Sequence, residues 1–249
     1  MKPGDSRDML AILAGPEPES FTTRPVIMGT HGMVTSGHYL ASRVGLPILV
    51  YLSDEKRVVS LSGQGPAPQR ATIEGFRKNG IDAIPGDGLL AATVPDAVST
   101  WISALSRFGS MTLSQVLSPS VELAGRGFPM FERLRSALQR SSPQFQEVWP
   151  SSAHAYLPGG RIPAVGAIYV QPDIAGFFTL LMDAEYRERR RGRREGLAAA
   201  HDAFYKGEIE ERIVKFVQES RLRDSTGKHH SGLITKEDLR RYAPGSRNQ

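Results

Sequence analysis

Apolar and polar residues follow two different periods along this chain. Up to residue 70 short apolar runs are broken by turn residues. From residue 71 onward apolar positions return every three or four residues, the period of a helix buried on one side. Val94, Val98, Trp101, Leu105 and Phe108 make one such face, and Gly109 is expected to end that helix in a left-handed conformation. Residues 112–127 read as a second amphipathic helix with Leu113, Val116, Leu117, Val121 and Ala124 inward. The stretch from Gly86 up to them reads as a glycine-rich turn and a short apolar strand.

The same pattern predicts a helix over 71–79 with Ile73 and Phe76 inward, and another over 130–138. A Pro/Ser/Gly-rich loop is expected over 141–160. A long helix is expected to start at 174–182, to be interrupted by an arginine-rich insertion, and to resume over 197–204. Another helix covers 209–217. A last one starts at Thr235, with Thr235 as N-cap and Asp238 in the capping-box position. Toward the N-terminus, 26–28 and 33–35 read as short strands around a Gly-Thr-His-Gly turn, and 38–44 as a brief helix. An apolar run over 46–52 then enters a hairpin with a polar turn at 53–57 and a return strand at 58–61. Residues 1–20 read as a disordered arm and 245–249 as a tail.

Composition narrows the chemistry. At 249 residues, 40% hydrophobic and 23% charged, the chain is of ordinary globular make-up. The absence of cysteine removes disulfides, thiolate metal sites and thiol nucleophiles together. No apolar run is long enough for a bilayer, and the N-terminus lacks a charged-then-apolar signal pattern, so a cytoplasmic location without membrane contact is expected. Net charge is +5, and much of the excess sits at 187–194, which reads Arg-Glu-Arg-Arg-Arg-Gly-Arg-Arg. Nucleic-acid binding would call for interleaved aromatics. Only Tyr186 is near, and Asp183, Glu185, Glu188 and Glu195 dilute the charge, so a solvated insertion over 183–196 with no specific nucleic-acid partner is expected. The six histidines give no metal site: His229 and His230 are adjacent and point apart, while His31 and His38 lack a carboxylate at ligand spacing. Gly86-x-Gly88 lacks the lysine and hydroxyl of a phosphate cradle. No metal or organic cofactor is implied.

Four blocks in order resemble one family. Val94-Pro95-Asp96-Ala97-Val98 with Pro119-Ser120-Val121-Glu122-Leu123-Ala124 and Gly127-Phe128 is similar to the large subunit of the gamma-glutamyltranspeptidase family. Phe204-Tyr205-Lys206-Gly207-Glu208-Ile209 and Ser231-Gly232-Leu233-Ile234-Thr235-Lys236-Glu237-Asp238-Leu239 resemble two further family segments. Arg24-Pro25-Val26 with Gly32-Met33-Val34 resembles the opening of its acylase-like branch. The resemblance covers residues 21–244. It implies an α+β fold, an incomplete four-layer αββα N-terminal-nucleophile hydrolase sandwich. The buried helix that the family carries after its opening strands has no counterpart here, which implies an internal deletion near 49–50 and an uncovered apolar surface.

The resemblance also implies a reaction: hydrolysis or transfer of gamma-glutamyl or related acyl amides by an N-terminal threonine whose own amine is the base. That threonine belongs to a small subunit, so no catalytic residue is expected within these 249 residues, and a separate small subunit is the implied partner. Thr22-Thr23 is the one Thr-Thr pair and reads as a polar approach to a strand. The large subunit's contribution is an arginine for the substrate carboxylate. In the typical pattern its position falls on Gln64, the expected substrate-binding residue, and in the acylase-like pattern on Pro66; Arg70 is close in sequence but reads as surface. Asp96 replaces a turn glycine and can tolerate left-handed geometry. The alternative reading is a catalytically dead relative kept for binding or scaffolding.

Overall fold

The computed structural model describes residues 48–242. The expected arm at 1–20, the strands and helix before residue 45, the Thr22-Thr23 pair, His31, His38 and the tail at 245–249 lie outside the described residues.

Strands β1 (Ile48–Leu52) and β2 (Arg57–Leu61) form the expected hairpin, with Val50 opposite Val59 and Leu52 opposite Arg57. Side chains alternate across a strand. Val50 and Leu61 are accordingly buried, while Leu49, Tyr51 and Val58 are exposed. An extended strap over 62–69 leads to α1 (Ile73–Lys78), capped by Thr72, whose Oγ1 accepts the Gly75 N–H at 3.0 Å. Ile73 was expected inward but stands at the first helical position, 72% exposed; Ile81, just past the helix, is the buried residue there.

The short strand expected before Val94 is instead a 3-10 turn, Leu89–Ala91. Side-chain bonds hold this loop without a ladder: Asp87 accepts from Ser225 N at 2.6 Å and from Gln144 Nε2 at 2.9 Å. Helix α2 (Ala97–Phe108) begins after Val94, which is buried outside the helix and does not fix which face turns inward. Ile102 takes the buried place assigned to Trp101, which is 42% exposed. Gly109 ends α2 with φ −101°, extended rather than left-handed. A Cβ at this position would lie 3.0 Å from the Leu105 carbonyl oxygen, a tight approach to backbone that glycine avoids.

Helix α3 (Leu113–Arg126) opens on a full capping box between Thr112 and Gln115. Leu113, Leu117 and Ala124 are buried, whereas Val116 is exposed. Strand β3 (Phe128–Pro129) pairs with the later β4 (Ile168–Tyr169). Helix α4 (Glu132–Glu147) runs through the region expected as loop, and α5 (Pro150–Tyr156) follows. Phe145 and Trp149 explain the extension. Both are buried, and burying two aromatic rings outweighs the one hydrogen bond that Pro143 removes.

Helices α6 (Pro172–Glu188) and α7 (Arg193–Tyr205) are not one interrupted helix. A 3-10 turn, Arg189–Arg191, and Gly192 at φ 136° reverse the chain, so that α7 packs back along α6. Helix α8 (Glu208–Glu219), strands β5 (Leu222–Arg223) and β6 (His229–His230), and helix α9 (Lys236–Arg240) complete the described residues. α9 carries the expected capping box of Thr235 and Asp238.

The fold is α+β and helix-rich. Its described strands form three two-stranded antiparallel sheets. A main core gathers Val98, Leu117, Leu181, Leu197, Tyr205 and Leu239 from α2, α3, α6, α7 and α9, with Val214 from α8. A second core holds Met130, Leu134, Phe145, Trp149 and Tyr169.

Candidate functional site

The strap over 62–69 carries the residues that the sequence singled out for substrate contact. Thr100 Oγ1 lies 3.0 Å from both Ser62 O and Asp96 Oδ1 and shares its one hydrogen between these two acceptors, so the first turn of α2 grips the start of the strap. In the middle, Val94 N donates to Pro66 O at 3.0 Å. At the far end, Gln69 N donates to Asp238 Oδ1 at 2.9 Å. Gly65 lies so close to the neighbouring chain that a Cβ would fall 1.6 Å from Val94 O; only glycine allows this approach.

Gln64 is exposed on this clamped strap, and its side-chain amide makes no hydrogen bond among the described residues. Pro66 is half-buried. Arg70 is exposed and belongs with the surface, as its sequence context suggested; its charge helps to hold the Asp238 carboxylate ionised. Burial pushes the Asp238 carboxyl up, but bonds from Gln69 N–H and Thr235 outweigh it and leave its pKa below the usual carboxylate value.

The anchors are tied into the helical core in turn. Tyr205 of α7 donates its hydroxyl to Pro95 O at 2.7 Å and accepts from Ser99 N at 3.3 Å. Burial pushes its pKa well up, so it stays a donor throughout the neutral range. The buried Glu210 of α8 takes Arg240 of α9 in an ion pair, Nε to Oε1 at 2.8 Å. Asp96 is not in the left-handed turn conformation anticipated for it. At φ −112° and ψ −20° it occupies the N-cap position of α2, and its carboxylate accepts from the Thr100 hydroxyl.

Thr235 is a helix cap, as its position implied. His230 Nδ1 lies 2.6 Å from Asp224 Oδ2, while His229 beside it is exposed. Among the described residues no group of three or more His, Cys, Asp or Glu side chains is placed to hold a metal ion, and no helix is long and apolar enough to cross a membrane. The acids of the arginine-rich stretch are not all solvated. Glu185 is buried and accepts from Leu113 N at 2.7 Å and Ser114 N at 2.9 Å, capping α3 from another helix.

Sequence reasoning missed Thr100 and the second bond of Asp238, the two side chains that hold the strap. The capping-box spacing revealed the bond of Asp238 to its own helix. Nothing local signals a partner 169 residues away in the chain.

Chemically, Gln64 offers one amide donor pair and one acceptor and no charge. It can hydrogen-bond a carboxylate or an amide but cannot form an ion pair. The clamped, glycine-dependent strap holds Gln64 exposed on a helix-rich α+β body.

The gamma-glutamyltranspeptidase family profile matches residues 45–249. The chain is 26% identical over 227 residues to the glutathione hydrolase-like YwrD proenzyme of Bacillus subtilis (strain 168), covering 77% of this chain and 40% of that protein. It is 26% identical over 257 residues to the acylase ACY 1 proenzyme of Pseudomonas sp. (strain SE83), covering 86% and 41%. In structure it superposes on LmbA2991HD with a TM-score of 0.75 at 29% identity, over 90% of this chain and 44% of the other. This chain belongs to the gamma-glutamyltranspeptidase family, whose members include glutathione hydrolases and acylases. It spans about two-fifths of the length of these curated relatives.

Proposed function

We propose that this chain supplies the substrate-recognition part of a gamma-glutamyltranspeptidase-like amidase. The reaction is hydrolysis or transfer of an acyl amide, with the threonine nucleophile and its oxyanion-binding amides contributed by a small subunit outside these 249 residues. The observation that carries this reading is the strap over 62–69, clamped at Ser62, Pro66 and Gln69 and presenting Gln64. Because that position is neutral, acyl groups without a charged terminus are preferred to gamma-glutamyl.

The purified chain alone is expected to release no anilide from a gamma-glutamyl anilide. Turnover by it, with an acyl group captured on one of its own threonines, overturns the proposal. In an enzyme completed with the small subunit, Gln64→Arg is expected to raise kcat/KM for the gamma-glutamyl anilide relative to a butyryl anilide. A hydrogen bond to a charged group contributes about 1.5–3 kcal/mol, roughly a ten- to hundredfold change.

On the same reading, β1 and β2 are the remnant of the central sheets of an αββα sandwich whose covering helix was lost at residues 49–50. Sequencing the transcript across that junction tests it, and an intervening coding segment rules the deletion out. The neutral Gln64 also favours a second reading, a binding or scaffold relative without activity. A completed protein that bears a free N-terminal threonine yet fails on both anilides selects it.

A further inference from the structure

The reversal between α6 and α7 gathers charge that nothing in the strap uses. Six arginines lie within residues 187–194. Two of them have structural work. Arg193 donates from Nη2 to Leu105 O at 2.6 Å and from Nε to Met111 O at 3.0 Å, tying the tip to the end of α2. Arg191 pairs with Glu188 at 3.1 Å. Arg189 lies over the Tyr186 ring at 3.8 Å. Arg187, Arg190 and Arg194 are exposed and have no ion-pair partner among the described residues. The tie through Arg193 brings in the last turn of α2 with its exposed Arg107. Two exposed apolar side chains border the charge, Tyr186 (57%) and Met111 (48%).

We propose that this arginine tip, with Met111 and Tyr186 at its rim, is a docking surface for an acidic, amphipathic polypeptide segment. Guanidinium forks match carboxylates bidentately. Arginine, tyrosine and methionine are the side chains enriched where proteins meet. Two features turn the surface from nucleic acid. Arg189 covers a face of the one aromatic ring in the stretch, so a base cannot stack there. The carboxylates of Glu188 and Glu195, together with the carbonyl end of α6, break up the field that a continuous run of phosphates needs. A peptide whose carboxylates are spaced by apolar residues avoids these breaks.

The test is fluorescence anisotropy with the full chain at about 50 mM salt, where surface charges act over more than 10 Å. The probes are a labelled peptide of about 16 residues with Glu and Leu at helical spacing, the same peptide with Gln for Glu, and a single-stranded oligonucleotide of about 20 nucleotides. The acidic peptide is expected to bind, the Gln peptide to bind at least tenfold more weakly, and the combined variant Arg187→Gln, Arg190→Gln, Arg194→Gln to lose at least tenfold in affinity for the acidic peptide. These three side chains hold nothing in the fold, and an unchanged melting temperature verifies that the variant is folded. A charge-preserving variant with lysine at the three positions is expected to retain more binding than the glutamine variant. Absence of acidic-peptide binding, equal binding by the glutamine variant, or tighter binding of the oligonucleotide each overturns the proposal.

Discussion

His201 shows what burial does to one titratable side chain. The residue is 7% exposed, its ring stacks on Tyr205 with centroids 4.4 Å apart, and its Nε2 has no hydrogen-bond partner among the described residues. Burial lowers its pKa below 6.5, although Asp202 at 3.3 Å from Nδ1 opposes the shift; Lys206 adds to it. The unfolded chain therefore binds the extra proton first as pH falls. The stability from the neutral ring is complete above about 6.5 and declines as pH drops toward the folded value. His201→Phe keeps the stack and removes the proton. Its melting temperature is expected to change less between pH 7 and 5 than that of the wild type, and parallel pH profiles refute the assignment. Gly65 makes a second case at this scale. Gly65→Ala places a methyl group against Val94 O, and the strap must move. A loss of about 1–3 kcal/mol in urea unfolding is expected, the usual cost of overpacking, with faster amide exchange at Gln69.

At the scale of elements, two helix ends are completed by side chains from elsewhere in the chain: Arg193 donates to Leu105 O in the last turn of α2, and Glu185 caps the start of α3. The N-terminus of α3 is satisfied partly by its own Thr112 and partly by Glu185 from α6, whose carboxylate accepts two backbone N–H groups and the Ser114 hydroxyl. Glu185→Ala leaves buried donors unpaired, and such a loss costs about 1–3 kcal/mol per group. A drop of roughly 2–4 kcal/mol in urea unfolding is expected on that basis, larger than for Thr112→Ala, which removes an exposed cap worth about 1 kcal/mol. Equal losses would show that the contact between the two helices contributes little. Asp224 works in the same way in the β5–β6 turn. Burial raises its carboxyl, but bonds from Thr226 and His230 more than offset this and leave its pKa below 3.8.

At the scale of the whole molecule, two cores meet through polar contacts. Asp87 links Ser225 to Gln144, and Trp149 Nε1 donates to Arg223 O at 3.3 Å. The β1–β2 hairpin is its own two-stranded sheet, with Val50 and Leu61 buried on one face and Leu49, Tyr51 and Val58 exposed on the other. Exposed apolar side chains on one face of a two-stranded sheet promote association. Sedimentation velocity on the purified chain is expected to show concentration-dependent oligomers, and Tyr51→Thr with Val58→Thr to shift the distribution toward monomer. Unchanged association in that variant moves the sticky surface elsewhere.

Helical period, cap chemistry and motif order were legible without coordinates. The hairpin at 48–61, the capping box at Thr235, the α+β class and the family all follow from side chains within a few residues of one another, where the physics is local. The helix over 132–147 was not legible, because its decisive term is the burial of Phe145 and Trp149 in a cluster with Leu134, Tyr156 and Tyr169, which the local run of serine and proline does not announce. The reversal at Gly192 was hidden for a similar reason: a stretch of arginines reads alike whether the flanking helices continue or fold back. The tertiary structure alone decided that Asp238 grips Gln69, that Glu185 caps a helix not its own, and that Gln64 stands exposed on a clamped strap. Each is a contact between distant positions, and no local preference encodes the partner.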